Sequence, residues 1–112
     1  MRPHRAEIWL VDFGEPIGVE QAGRRPAVVV SADGLNESAA GVIIAIPCTT
    51  TRRELPSHIE LDAAKSGLDE TSYAMCEDIK SISTRRLISR LGEADDTAML
   101  AIERALRFLL DL

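Results

Sequence analysis

The chain has 112 residues, a length that suits one domain spanning 1–112. Its 46% hydrophobic and 28% charged residues are typical of a globular protein and exclude a disordered chain. A net charge of -5 argues against a general polyanion binder, but it leaves room for a local basic groove. No apolar run approaches the roughly 20 residues of a membrane span, and the N-terminus lacks the apolar stretch of a signal peptide. We therefore expect a cytoplasmic protein with no membrane partner.

The usual markers of metal or nucleophile chemistry are missing from the sequence. Cys48 and Cys76 predict buried free thiols on strands, since a disulfide is unusual in a reducing compartment. His4 and His58 are not spaced with them as a metal site requires. There is no Gly-rich phosphate loop, no recognisable nucleophile–His spacing and no paired carboxylate motif. We expect neither a metal nor another cofactor.

Short apolar runs separated by Gly, Pro and polar residues predict strands joined by loops. In chain order we predict a strand over Ala6–Phe13, a loop or open hairpin over Gly14–Arg25, a buried strand over Pro26–Ala32, a turn-rich segment over Ala32–Gly41 and a second buried strand over Val42–Cys48. There follow a polar loop over Thr49–Pro56, a half-buried strand over Ser57–Leu61, a loop over Ala63–Ser72 and one strand over Tyr73–Ser83 that turns polar midway. Thr84–Ala94 fits either a short helical turn or a last strand.

The C-terminal segment carries the clearest helical signal. Asp95 or Asp96 can cap a helix there, and both carboxylates favour its positive end. The apolar residues that follow at helical spacing are Met99, Ile102, Leu106 and Leu109. This stripe predicts packing against a sheet. Because strands and helices do not alternate, the fold class is mainly β with α, a small, strongly bent antiparallel sheet or barrel carrying a C-terminal helix.

The residues left to carry chemistry are cations and hydroxyls at strand ends. Arg25 directly precedes the strand that starts at Pro26, and Thr49 directly follows the strand that ends at Cys48. If these strands pair antiparallel, Arg25 and Thr49 meet at one rim of the sheet. A guanidinium and a hydroxyl at one rim can hold a phosphodiester. Taken singly, each residue also fits a plain solvated side chain or a turn.

Five blocks of the sequence carry a resemblance to a known family. They are AEIWLVDFGEPIGVEQAGRRPAVVVS, IPCTT, LPSHIEL, CEDIKSISTRRL and LGEAD, and together they span nearly the whole chain. In this order they resemble the MazF/PemK family of toxins, ribosome-independent mRNA endoribonucleases of bacterial toxin–antitoxin pairs. The resemblance implies an SH3-like barrel-like sheet with short helices, a homodimer, a cognate antitoxin protein and cleavage of single-stranded RNA at short sequences.

The same resemblance implies a set of site residues. The catalytic pair of the family is an Arg just before the Pro of the RP motif and a Thr or Ser that opens the loop after the third strand. These positions are Arg25 and Thr49, with Thr50 as the next candidate because the triple Thr leaves the register open by one. Glu20 and Gln21 match the EQ of the family beside the RNA groove.

Further residues are expected to bind RNA. Glu77 and Asp78 match an acidic–polar pair near the base-binding region of the family. Single-stranded RNA is recognised by stacking its bases on planar groups, and Phe13 and Tyr73 are planar candidates while Trp9 is expected in the core. The cations expected to contact phosphates are Arg24, Arg52 and Arg53. The acidic balance of the chain weakens long-range attraction to RNA, so affinity has to rest on a local groove.

The chemistry of these residues predicts metal-independent cleavage by attack of the 2′-hydroxyl of the RNA on the adjacent phosphate. Arg25 would offset the charge added on phosphorus, and Thr49 would donate a hydrogen bond to a phosphoryl oxygen. Neither is a good general base, because Arg stays protonated at neutral pH, and Glu20 is a weak candidate for that role. The predicted function is the toxin of a type II toxin–antitoxin system, inhibiting translation and growth, with mRNA, tRNA or rRNA as the target.

Two other hypotheses stay open from the sequence. A non-enzymatic toxin of similar fold would bind a protein target such as DNA gyrase, and a degenerate family member would only bind a partner. The RP motif and Thr49 favour the enzyme over the gyrase binder, which needs neither. The presence of both Arg25 and Thr49 argues against the degenerate form.

Overall fold

The computed structural model describes residues 2–14 and 23–112, and these ranges contain seven strands and three α-helices. The strands are β1 (Glu7–Asp12), β2 (Arg24–Val29), β3 (Val42–Thr49), β4 (His58–Leu61), β5 (Ser72–Met75), β6 (Lys80–Ser83) and β7 (Leu87–Glu93). The helices are α1 (Asp33–Asn36), α2 (Ala63–Ser66) and α3 (Asp96–Leu110), with 3₁₀ turns at Cys76–Asp78 and Thr84–Arg86. The fold is mainly β with a C-terminal helix, which confirms the predicted class.

The seven strands form one antiparallel sheet. Six of them follow one another in the order β4-β5-β3-β2-β1-β7, and the seventh, β6, pairs with β3. The longest strand, β3, lies at its centre. One edge of β3 pairs with β2, and the other edge is divided between β6, opposite residues 42–45, and β5, opposite residues 48–49. Irregular register between β1 and β7 bends the outer part of the sheet. Among the described residues no pairing joins the end strands β4 and β7, so the sheet does not close into a barrel.

Alternating side chains build a separate apolar core on each face of the sheet. One core contains Ile8, Val28, Ile46 and Cys48 and is covered by Met99 and Ile102 of α3. The other core is assembled from the intervening residues of the same strands. Its members are Trp9, Val11, Phe13, Ala27, Val29, Ile43, Ala45, Ile82 and Leu87. Val11 and its cluster therefore lie on the face opposite α3, and Trp9 is a core residue as expected.

Helix α3 follows its sequence signal. The Asp95 carboxylate caps it by accepting a hydrogen bond from the backbone N–H of Ala98 at 2.8 Å. Met99 and Ile102 are buried, whereas Leu109 near the end of the helix is exposed. Leu106 is partly buried against the same core, so the stripe packs as far as Leu106 and only Leu109 lies outside it. No helix within residues 2–14 and 23–112 combines the length and apolar character needed to cross a membrane.

Several predicted boundaries were wrong. β2 ends at Val29 rather than Ala32, and β3 ends at Thr49 rather than Cys48, because Thr49 still pairs with Tyr73 of β5. β2 begins at Arg24 rather than Pro26, because its ladder with β1 continues to the pair Asp12–Arg24. The single strand predicted over 73–83 is two strands, because β5 and β6 pair with different stretches of β3 and a 3₁₀ turn must carry the chain between them. The apolar residues on both sides of that turn keep a strand-like pattern, so the sequence does not show where β5 ends and β6 begins.

The predicted loop over 63–72 contains the short helix α2. Asp62 caps it by accepting the backbone N–H of Ala64 at 2.8 Å, and Gly67 ends it with a left-handed φ of 83°. An Asp before the helix and a Gly after it are recognisable start and stop signals. Four residues are too few for the apolar periodicity that would have made the prediction firm. Cys76 likewise begins the 3₁₀ turn rather than lying on a strand, although it is a buried free thiol as expected.

Strand β7 passes α2 so closely that only glycine fits at residue 92. A Cβ on Gly92 would lie 1.8 Å from the carbonyl oxygen of Ser66. We expect Gly92→Ala to lower the free energy of unfolding by roughly 2–3 kcal/mol, because the two backbones must move apart. The matched control is Gly34→Ala in α1, where the added Cβ meets no atom within 4 Å. Urea unfolding of both variants measures the difference, and equal stability of the two would contradict this account.

Candidate functional site

Arg25 on β2 and Thr49 on β3 come level at one rim of the sheet. The β2–β3 ladder ends at the pair Ala27–Pro47, and continuing its register by two residues sets Arg25 opposite Thr49. Pro26 and Pro47 lie at the point where the ladder stops, and neither has an N–H to donate. The β2–β3 ladder therefore stops two residues before the level of Arg25 and Thr49.

Alternation along the strands decides which way this rim faces. Arg25 lies directly opposite Val11 of β1, so both side chains project from the same face of the sheet. That is the face opposite α3. Arg25 is half-buried there, whereas Arg24, one residue earlier, is exposed and alternates to the other face. Of the two adjacent arginines, only Arg25 shares a face with Thr49.

The Thr49 hydroxyl accepts a hydrogen bond, so its own O–H can still donate one. It is half-buried at the end of β3, and its Oγ1 accepts the backbone N–H of Thr51 at 3.2 Å. A hydroxyl that accepts one hydrogen bond still has its own O–H to donate. Thr50 is exposed and lies just beyond the last residue of β3. The geometry therefore favours Thr49 over Thr50 as the hydroxyl that works with Arg25.

The row of level side chains continues across two more strands. Thr49 pairs with Tyr73 of β5, and Tyr73 pairs with Glu60 of β4. Neighbouring strands lie about 4.8 Å apart, so the row from Arg25 to Glu60 covers roughly 14 Å. A guanidinium, a hydroxyl, an aromatic ring and a carboxylate thus follow one another on one face of the sheet.

A cleft of about 300 Å³ lies at the far end of this row, lined by Arg52, Glu54, His58, Glu60 and Tyr73. Arg52 and Glu54 project from the loop after β3, and their charged groups are 3.3 Å apart at the surface. Glu54 has a left-handed φ of 55°, which is uncommon for a residue other than glycine. Arg53, also on this loop, is exposed but does not line the cleft.

His58 and Glu77 form a hydrogen-bonded pair beside this cleft. His58 Nε2 lies 2.7 Å from Glu77 Oε2, with the imidazole side chain only 2% exposed. Burial acts to raise the pKa of Glu77, but hydrogen bonds from His58, from its own backbone and from Ser57 outweigh burial. The pKa of Glu77 therefore lies below its ordinary value of 4.5. The hydrogen bond from His58, which lines the cleft, therefore favours the ionised form of Glu77.

Lys80 is a cation on the site face that sequence reasoning missed. It pairs with Ala45 across β6 and β3, and its Nζ lies 5.5 Å from the centroid of the Phe13 ring. Alternation in KSIS puts Lys80 on the same face as Ile82, which is the signal that identifies it. Phe13 is only 7% exposed, so its ring offers little area for stacking a base.

Glu20 and Gln21, both expected to bind RNA, lie outside the described residues. The pairing of β1 and β2 extends beyond the strands themselves, since the Phe13 N–H donates to the Gly23 carbonyl and the Gly23 N–H donates to the Gly14 carbonyl, each at 2.9 Å.

The two thiols are not candidates for chemistry. Burial raises the pKa of Cys48 to about 12, and burial together with the charge of Glu77 raises the pKa of Cys76 to about 12. A thiol that stays protonated is a poor nucleophile and a poor metal ligand. Within the described ranges no group of three or more His, Cys, Asp or Glu side chains is placed to hold a metal ion.

Comparison with known proteins confirms the resemblance seen in the sequence. The profile of the PemK-like, MazF-like toxins of type II toxin–antitoxin systems matches residues 4–110. The chain is 31% identical over 109 residues to Endoribonuclease EndoA of Bacillus subtilis (strain 168), covering 96% of this chain and 94% of EndoA. It is 37% identical over 113 residues to Endoribonuclease MazF9 of Mycobacterium tuberculosis (strain ATCC 25618 / H37Rv), covering 96% of each chain.

Solved structures agree with the fold. MazF from Deinococcus radiodurans superposes with a TM-score of 0.89 at 26% identity, covering 100% of this chain and 99% of that one. An endoribonuclease in complex with its cognate antitoxin from a mycobacterial species superposes with a TM-score of 0.82 at 27% identity, covering 98% and 96%. These relatives give no support to the alternative of a gyrase-binding toxin.

The lowered pKa of Glu77 predicts that the protein loses part of its free energy of unfolding in acid. The hydrogen bonds of Glu77 contribute fully above pH 4.5, and the contribution is lost as the pH falls through the lower folded-state pKa. We expect His58→Phe to raise the pKa of Glu77, because the largest lowering contact is removed. Carbon-13 NMR titration of the Glu77 carboxyl measures the shift, with Glu70→Gln as a control away from the pair. An unchanged pKa in His58→Phe would contradict this assignment.

Proposed function

This chain belongs to the PemK-like, MazF-like toxins of type II toxin–antitoxin systems, and from that premise we propose that it is a sequence-specific, metal-independent endoribonuclease. Its substrate is single-stranded RNA, cut in the cytoplasm so that translation and growth stop. The observation that carries the proposal is the register of β2 and β3, in which Arg25 and Thr49 come level on one face. The names of EndoA and MazF9 as endoribonucleases support the same activity.

The proposed cleavage uses the 2′-hydroxyl of the RNA as nucleophile. The 2′-hydroxyl loses its proton as the 2′-oxygen bonds to phosphorus, the bond from phosphorus to the 5′-oxygen breaks, and the departing 5′-oxygen takes up a proton. The products are a cyclic phosphate and a 5′-hydroxyl. Arg25 binds two phosphoryl oxygens through its planar fork and offsets the charge that develops on them. Thr49, whose Oγ1 already accepts the Thr51 N–H, donates a hydrogen bond through its own O–H to a phosphoryl oxygen. Glu20 stays the weak candidate for general base and lies outside the described residues.

The other basic residues have separate parts in the proposal. Lys80 lies on the same face as Arg25 and extends the positive rim along which the RNA backbone passes. Arg53 is exposed on the loop after β3, where it contacts a phosphate on the other side of Thr49, whereas Arg52 on the same loop lines the neighbouring cleft. This local clustering lets a chain with a net charge of -5 bind RNA through short-range contacts. Binding through phosphate contacts weakens as salt increases.

Two protein partners belong to the proposal. A cognate antitoxin is supported by the mycobacterial relative solved with its own antitoxin. A homodimer is supported by the exposed end of α3, where Phe108 is 85% and Leu112 is 80% exposed. A neighbouring cleft of about 440 Å³ is lined largely by apolar residues of the same helix. Apolar side chains exposed in one patch mark a surface that a partner covers.

The cleavage proposal predicts a large effect of Arg25. Purified protein is incubated with a long RNA in excess EDTA, and the new ends are mapped. We expect discrete cuts with 5′-hydroxyl ends, and we expect Arg25→Ala to slow them by about a hundredfold or more, because it removes the charge that offsets the transition state. Arg25→Lys should recover only part of the rate, since an ammonium does not bind two oxygens in one plane.

Arg85→Ala is the matched control, because Arg85 is an exposed arginine on the 3₁₀ turn at the start of β7. Circular dichroism and thermal unfolding of each variant show whether it folds. Full activity of a folded Arg25→Ala would overturn the proposed role of Arg25. Cleavage that requires added metal would overturn the metal-independent mechanism.

The homodimer predicts a sedimentation result. At micromolar concentration the native chain should sediment as a dimer, and Phe108→Glu should shift it towards a monomer by placing a charge in the apolar patch. Glu103→Gln, an exposed change on the earlier part of α3, is the control. A native chain that sediments as a monomer counts against the dimer.

A further inference from the structure

The cleft at the end of the site row has a composition that suits a nucleobase and not a phosphate. Glu54 is paired with Arg52 at 3.3 Å, so Glu60 is the carboxylate that gives the lining a negative balance, and this balance disfavours a phosphate. The Tyr73 ring supplies a planar wall next to Thr49. Single-stranded RNA is recognised by stacking unpaired bases on aromatic rings and by hydrogen bonds to their edges. The cleft therefore offers both kinds of contact beside the phosphate-binding rim.

A buried histidine in the cleft wall holds one polar atom without a partner. His58 Nε2 is paired with the Glu77 carboxylate, and the other ring nitrogen, Nδ1, is buried and has no hydrogen-bond partner among the described residues. Because Nδ1 is buried, it does not itself face the cleft. The contacts to a bound base therefore come from the other lining residues, Tyr73, Glu60 and Arg52.

From this arrangement we infer that the cleft formed by Tyr73, Glu60, Glu54, His58 and Arg52 binds one of the two bases that flank the cut and selects guanine over uracil. The inference rests on the proposed endoribonuclease function. Tyr73 stacks on the base, because its strand position next to Thr49 brings its ring beside the nucleotide whose phosphate is cut. Glu60, next in the row, meets the edge of that base.

The choice of guanine follows from the donors and acceptors on each base edge. A carboxylate accepts two hydrogen bonds side by side, and guanine presents two adjacent donors, N1–H and the N2 amino group. Uracil presents a single N–H between two carbonyl oxygens, which a carboxylate repels. Arg52, which projects into the same cleft, is a donor for the guanine O6. Cytosine and adenine each present one amino group, so we expect the cleft to bind them less well than guanine and better than uracil.

A library experiment tests the subsite. RNA oligonucleotides with a randomised centre are cut by the native chain, Glu60→Gln, Tyr73→Phe and Tyr73→Ala, and the ends are sequenced. We expect guanine to exceed uracil by about tenfold at one flanking position, and Glu60→Gln to lose most of that preference while still cutting. Tyr73→Ala should lower kcat/KM by about tenfold on all sequences, whereas Tyr73→Phe, which keeps the ring, should lower it much less.

Glu70→Gln is the matched control, since Glu70 is an exposed glutamate on the loop between α2 and β5, outside the cleft. Thermal unfolding of all variants separates a loss of binding from a loss of fold. A purely structural role of Glu60 would lower the amount of active protein and leave the sequence preference unchanged. Unchanged preference in a folded Glu60→Gln, or equal use of uracil by the native chain at both flanking positions, overturns the inference.

A binding experiment tests this inference separately from the proposed activity. Fluorescence anisotropy measures binding of 2′-deoxy oligonucleotides that differ only in the central base and that internal attack does not cleave. If the native chain cuts no RNA, the proposed function fails, and the binding experiment still decides on the subsite. Preferred binding of the guanine oligonucleotide that Glu60→Gln loses supports the inference, and equal binding of all four overturns it.

Discussion

Two side chains on neighbouring strands can act on one ligand only when the register brings them level, and the β2–β3 register does this for Arg25 and Thr49. The remainder of the site is built outward from that pairing. Pro26 and Pro47, which have no N–H to donate, lie where the ladder stops, and the two strands stay aligned up to the pair. The same register, carried through β5 to β4, adds the Tyr73 ring and the Glu60 carboxylate to the row.

The two faces of the sheet carry different sets of residues. Met99 and Ile102 of α3 cover one face and complete a core there. The other face has its own apolar cluster, and the polar site row lies at the rim of that cluster. Arg25 and Thr49 therefore lie on the face opposite the one that α3 covers.

Charge is distributed along the row in a way that the net charge of the chain conceals. Arg25 and Lys80 make the rim positive, and Glu60 gives the adjacent cleft a negative balance. Phosphates and base edges are attracted to different ends of such a surface. An acidic protein can bind RNA on these terms, because the selective contacts are local and are less screened than long-range attraction.

The sequence by itself determined the family, the mainly β class, the cap and first turns of α3 and the location of Arg25 and Thr49 at strand ends, because these depend on local patterns and on motif order. It missed Lys80, α2 and the break between β5 and β6. The Thr run leaves the choice between Thr49 and Thr50 open, and the structure adds that β3 ends at Thr49, which is therefore the Thr level with Arg25. The cleft of Tyr73, Glu60 and His58 was decided only by the tertiary structure, because those residues are distant in sequence and become neighbours solely through the pairing of β3, β5 and β4.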